Sequence, residues 1–204
     1  MKKALTIGEL LITMAIIGVI ATLVLPGFMK DYHKKLYVAK FKKVIETVET
    51  AVNQACIDNN VSYFNQTPYS TAKSSTDGSN QQAFIDKYFK KVGNITSSPF
   101  SSKYTVISTG EEKAMNLAQN HGWAKLASGE AISFFCGGDT FCTIRVDINA
   151  TDGPNVAGRD LFVFELNKAT NKIYDTHASS VCGTEHTGYG CYAKLVENNW
   201  EMTY

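Results

Sequence analysis

The sequence predicts an α+β protein in which one long N-terminal helix precedes an antiparallel sheet. Three observations predict it. From Leu10 to Met29 no residue is charged, and twenty helical residues rise about 30 Å, the thickness of a bilayer's hydrocarbon core. From Phe41 to Ala55 apolar residues return every three or four positions, the period of one helix face. Beyond Tyr104, short β-rich runs alternate with turn residues, as in a sheet layered on a helix.

The totals narrow the class. A chain of 204 residues suits one globular domain with an anchor. A net charge of +1 gives no bulk electrostatic case for nucleic acid. Only 19% of residues are charged, while Ser, Thr, Asn and Gly are plentiful, as on the polar surface of an exported domain.

The first element is the apolar run. Lys2 and Lys3 precede it, as in a signal peptide, but three features argue otherwise. The run exceeds a typical signal core, Glu9 interrupts its start, and Pro26-Gly27-Phe28-Met29 leads straight into helical sequence with no small-residue cleavage pattern. A plain anchor leaves Glu9 unexplained, since a carboxylate at the edge of hydrocarbon is costly. A cation on a neighbouring copy, such as the free amine of a cleaved chain, would satisfy it. Gly18, Pro26 and Gly27 weaken this helix, because proline removes a backbone bond and clashes with the preceding turn.

The second element continues the helix to about Ile57. Phe41, Val44, Ile45, Val48, Ala51, Val52 and Ala55 form its apolar stripe, while Lys42, Lys43, Glu46, Glu49 and Asn53 face elsewhere. The stripe is too short for a long coiled coil and is expected to bury against the sheet. Cys56 at its end reads as a buried thiol or as the partner of a C-terminal cysteine.

Next, Asn59 to Gln81 is polar and turn-rich and reads as a surface connector. Ala83 to Val92 predicts a short amphipathic helix with Phe84, Ile85, Tyr88 and Phe89 on one side. Expected strands are Tyr104–Ser108, Trp123–Leu126 with Ala131–Phe135 as a hairpin about Ser128-Gly129, Cys142–Ile148, and Leu161–Leu166 with Lys172–Asp175. Ala193 to Asn198 predicts a helical turn.

Four of the five cysteines form close pairs, Cys136 with Cys142 and Cys182 with Cys191. In an oxidising compartment these read as two disulfides, each restraining the unfolded chain by about 2–3 kcal/mol. The rival is zinc at Cys182, His186 and Cys191, which lacks a C-x-x-C knuckle. His33, His121, His177 and His186 stand in no catalytic motif: there is no H-E-x-x-H, no G-x-S-x-G and no phosphate-binding glycine loop. The sequence therefore reads as a non-enzyme.

The stretch MKKALTIGELLITMAIIGVIATLVLP resembles the leader and anchor of type IV pilins and type II secretion pseudopilins. A basic leader is followed by a hydrophobic residue, a Thr, two more residues and a Glu. The resemblance implies cleavage by prepilin peptidase between Ala4 and Leu5, and N-methylation of Leu5. It implies that Glu9, then the fifth residue, pairs with the terminal amine of an adjacent subunit. Pro26 stands where the family places a helix-kinking proline. Ala4 departs from the family's preferred Gly, and Gly8 from its usual aliphatic residue.

The implied fold is pilin-like, with a leader (1–4), a transmembrane assembly helix (5–29), an amphipathic stalk (30–58) and an extracytoplasmic α+β domain (59–204). The implied function is a structural subunit of a pilus or of a secretion pseudopilus. Its partners are further copies or other pilin-like subunits, the prepilin peptidase, an inner-membrane assembly platform and lipid. The alternative is a monomeric membrane-anchored binding module or enzyme. Lys30, Lys34, Lys35, Lys40, Lys42 and Lys43 follow the span, and the positive-inside rule would put that side in the cytoplasm. The resemblance and the cysteine pairs place it outside, as a single-pass inner-membrane protein with a periplasmic or extracellular domain.

A second stretch, VDINATDGPNVAGRDLFVFEL, is similar to a loop that pseudopilin-like proteins carry before a sheet strand. Some major pseudopilins hold calcium in a comparable loop. Asp147, Asn149, Asp152, Asn155 and Asp160 are the candidate ligands, since calcium takes six to eight oxygens. The EF-hand pattern fails here, because Gly153 comes one residue late and no Glu stands at the twelfth position. The alternative is a turn rich in Asp, Asn and Gly for conformational reasons. Beyond calcium the sequence points to no cofactor.

Overall fold

A computed structural model of the chain describes residues 6–72, 74, 77–93, 97–115, 121–184 and 188–204. Ala4, Leu5 and His186 lie outside the described residues. The chain divides into two compact units, one ending at Leu36 and one running from Tyr37 to Tyr204.

Helix α1 (Ile7–Asp58) contributes to both units. In the first unit the helix passes through Pro26 and Gly27 without interruption. Its apolar side chains, Ile7 through Met29, are exposed. This is the chain's one described helix long and apolar enough to cross a membrane. In the second unit α1 buries Val38, Phe41, Val44, Ile45, Val48, Ala51, Val52, Ala55 and Cys56. Every residue of the expected stripe is among them. Each large side chain removed from water in this way contributes about 1.5–3 kcal/mol.

The connector departs from a plain surface loop. It holds a short 3-10 turn (Phe64–Gln66), and it buries Phe64, Thr67, Ser70 and Gln81. Phe64 meets Phe84 and Phe134 edge-on, and its N–H donates to Asn171 Oδ1 at 2.8 Å. A lone aromatic in a polar run has no periodicity, so its anchoring role is invisible in sequence. Helix α2 (Ser79–Tyr88) starts and stops four residues before the expected bounds. Asp77 Oδ1 accepts from Ser79 N at 2.9 Å at its start, and Phe84 and Ile85 point into the core as expected.

The strands are β1 (Lys103–Val106), β2 (Glu112–Ala114), β3 (Gly122–Lys125), β4 (Ala131–Phe135), β5 (Phe141–Asp147), β6 (Val156–Ala157), β7 (Leu161–Asn167) and β8 (Ile173–Tyr174). They form one sheet in the order β2-β1-β6-β7-β5-β4-β3, with β8 on β7. The expectation of a purely antiparallel sheet is corrected here, because β6 pairs parallel with both β1 and β7. β6 has only two residues, too few to show an alternating pattern. The predicted β3–β4 hairpin and the β7–β8 pairing are both present.

Register puts Ile132 opposite Val146, Phe134 opposite Ile144, Ile144 opposite Phe164 and Val146 opposite Phe162. These side chains join the α1 stripe in one buried cluster. Helix α3 (Cys191–Glu197) follows Gly190, whose φ is 72°. A Cβ there would fall 2.4 Å from Ala178 O, so only glycine admits this approach. The disulfides Cys136–Cys142 and Cys182–Cys191 are formed, with Cα separations of 4.2 and 4.6 Å. Both thiolates of the zinc alternative are thereby used. Cys56 is a buried free thiol contacted by Asn171 Nδ2 at 3.6 Å.

Candidate functional site

Two places carry the residues singled out by sequence. The first is the start of α1. Thr6 N donates to Glu9 Oε2 at 2.9 Å, the Thr6 hydroxyl donates to the same oxygen at 2.9 Å, and Glu9 N donates to Thr6 Oγ1 at 3.2 Å. This is a reciprocal capping box, T-x-x-E, which satisfies orphan amides at a helix start. It also places a negative charge at the positive end of the helix dipole. The T-x-x-E spacing that forms it is readable in the sequence. Glu9 is therefore no longer unexplained in a plain anchor: its carboxylate has partners in its own chain. Pro26 lies inside the same helix.

The second place is the loop joining β5 to β6 and β7. Asp147 closes β5 opposite Leu161, and Asp160 immediately precedes β7. Both carboxylates are fully buried. Asp160 accepts from Asn155 N at 2.9 Å and from Val156 N. Asp147 Oδ1 accepts from Asn149 N at 3.2 Å. Asn149 Nδ2 donates to Gly153 O at 2.8 Å, while its Oδ1 is buried without a hydrogen-bond donor. The Asn155 side-chain amide nitrogen reaches Ala150 O at 3.1 Å and Asp147 Oδ2 at 3.2 Å. Burial, then the neighbouring Asp160 charge, pushes the Asp147 carboxyl up to about 8. Burial pushes Asp160 up as well, opposed by the amides of Val156 and Asn155.

No known protein family, curated protein or solved structure matches the chain. Two buried carboxylates in one loop repel each other when both are ionised, and a bound cation or a proton relieves that repulsion. Asp147 and Asp160 supply the carboxylates of this loop and Asn149 an orphaned amide oxygen, while Asn155 turns its amide nitrogen toward Asp147. This donor set fits a hard cation of the calcium kind. Asp152, the fifth expected ligand, is exposed and joins no three-carboxylate cluster. The same hydrogen bonds also build the turn, with Ala150 and Asn155 at φ 56° and 50°.

Proposed function

We propose that the chain is a pilin-like subunit, anchored in the inner membrane and assembled into a type IV pilus-like or type II secretion pseudopilus filament. The observation that carries this reading is the bare apolar surface of α1 from Ile7 to Met29. Such a surface needs lipid or other helices around it. The second half of α1 already has its cover in the sheet. Assembly thus uses the first half, moved from lipid to the flanks of neighbouring copies.

In this reading the leader is cut between Ala4 and Leu5, and the new amine of one subunit meets Glu9 of the next. Pairing then competes with the Thr6–Glu9 cap, so the charge specifies register more than it adds stability. The two disulfides suit an oxidising compartment outside the cytoplasm. The test is mass spectrometry of the mature N-terminus with electron microscopy of sheared surface material. The expected result is a methylated Leu5 terminus and filaments; an intact Met1, or loss of the whole apolar segment, would reject the reading. A second reading, a monomeric anchored module, is favoured by the capping box alone, since that box gives Glu9 a local purpose.

Calcium is part of the proposal. Asp147, Asn149, Asn155 and Asp160 would hold the ion, which would neutralise the carboxylate pair and fix the β5–β7 junction. Full-length protein in detergent is expected to gain about 2.7 kcal/mol of stability at calcium a hundredfold above its dissociation constant. Thermal unfolding with and without calcium measures this gain, and D147N is expected to abolish it. No shift in the wild type would leave the loop as a turn only.

A further inference from the structure

The β7–β8 hairpin carries a cluster that neither the anchor nor the oxygen-rich loop uses. Glu165 on β7 is 1% exposed. Asp175 follows β8 with its side chain fully buried, and His177 keeps 37% of its side chain exposed. Their ligand atoms lie within 4.8 Å of one another, the one such grouping of His, Cys, Asp and Glu among the described residues.

Each ligand is held from behind. Glu165 Oε2 accepts from Thr176 N at 3.0 Å, and Oε1 accepts from the Thr176 hydroxyl at 3.0 Å. Asp175 Oδ1 accepts from His177 N at 3.0 Å and lies 3.8 Å from His177 Nδ1. The Tyr189 ring, from the Cys182–Cys191 loop, rests 4.3 Å from the imidazole. Asp175 Oδ2 is different: it is buried and makes no hydrogen bond of good geometry, although the amides of Ala193 and Gly190 face the carboxyl group. Burial pushes both carboxyls above their usual range. Thr176 opposes this for Glu165, and the amides of His177, Ala193 and Gly190 oppose it for Asp175. An unpaired buried carboxylate oxygen is costly, and buried charges normally pair or coordinate a metal.

We propose that Glu165, Asp175 and His177 form a three-ligand site for a divalent transition metal of the zinc type. Two carboxylates and one imidazole suit zinc better than calcium, which takes oxygen alone. A water would take the fourth position from the side on which His177 is exposed. Zinc bonds of about 2.0–2.2 Å require ligand atoms about 3.3 Å apart, so the cluster contracts by about 1.5 Å at most. Rotation of the partly exposed His177 supplies the imidazole's share of that contraction, and side-chain torsion of Asp175 the carboxylates' share. Thr176, which grips both Glu165 oxygens, is the positioning residue. The ion would tie the β7–β8 hairpin to the disulfide loop through the His177–Tyr189 contact.

The test uses full-length protein in detergent, stripped with a chelator and then titrated with zinc against a chromophoric competitor. One zinc per chain is expected. H177A and E165Q should each weaken binding at least tenfold, while E111Q, on the exposed turn between β1 and β2, should leave it unchanged. Cobalt substitution should give visible absorption bands that H177A abolishes, a signature that a purely structural role would not move. Circular dichroism in chelator is expected to be the same for H177A and wild type, because His177 is half-exposed. Absence of retained zinc, or equal retention by wild type, H177A and E165Q, would overturn the site.

Discussion

Glu9→Gln is expected to abolish filaments while leaving the chain in the membrane fraction. Glutamine keeps the capping box, because its side-chain oxygen still accepts from Thr6 N. Only the charge is lost. If Glu9 pairs with an amine on the next subunit, the variant leaves that cation uncompensated in a low-dielectric contact, at a cost of about 3–5 kcal/mol. Even 3 kcal/mol lowers each subunit addition by about a hundredfold, and the cost recurs at every step. Thr6→Ala makes the opposite cut. It removes the hydroxyl that bonds Glu9 on both sides, costs about 1 kcal/mol at the helix start, and keeps the charge. The paired-filament reading therefore expects many filaments from T6A and none from E9Q. The anchored-monomer reading expects no filaments from wild type or from either variant, with E9Q indistinguishable from wild type in the membrane fraction. Immunoblots of membrane fractions together with microscopy of sheared material separate the two, and normal filaments from E9Q would remove intermolecular pairing from the account.

How much of this was legible in the sequence depends on whether the information was local. The α1 stripe was legible because seven apolar residues keep one period over four turns, and all of them are buried. The disulfides were legible because each pair closes a short loop. Phe64 was not, because nothing near it repeats, and its partners Phe84 and Phe134 come from α2 and β4. β6 was not, because its two residues form a strand only where β1 and β7 offer free edges.

The candidate sites divide in the same way. Thr6 and Glu9 are one helical turn apart, and their bonds follow from spacing. The oxygen-rich loop was legible as a composition. The separation of its members was not: Asp147 and Asp160 meet because β5 ends where β7 begins, and Asp152 is carried outward by the turn between them. The metal cluster is further from sequence still. Asp175 and His177 are near neighbours, but Glu165 reaches them only through the pairing of Glu165 with Tyr174 across the hairpin. His177 stands in no motif of its own, and only that register brings Glu165 to it.

The second large effect is expected at Phe41, which tests whether the helix is seated on the sheet. Its ring is fully buried, stacks on Phe162 at 4.1 Å and 16°, and meets Phe164 edge-on at 5.6 Å. Tyr192 and Trp200 close the other sides at 6.4 Å each. Phe41→Ala leaves a cavity whose walls belong to β7, α3 and the C-terminal tail. Collapse is restricted, since Phe162 and Phe164 are fixed by strand pairing to β5. A loss of about 3–5 kcal/mol is expected, out of the roughly 5–15 kcal/mol that a whole domain has to lose. Ile57→Ala serves as the control on the same helix, because Ile57 is 70% exposed and its truncation should change stability by less than about 0.5 kcal/mol. Denaturant unfolding of full-length protein, followed by tryptophan fluorescence, reads both variants, and Trp200 reports directly on the emptied site. A loss under about 1 kcal/mol for Phe41→Ala would mean that the stripe does not dock on Phe162 and Phe164. The first half of α1 would then no longer stand out as the half that lacks a partner, and the case for assembly through it would fall.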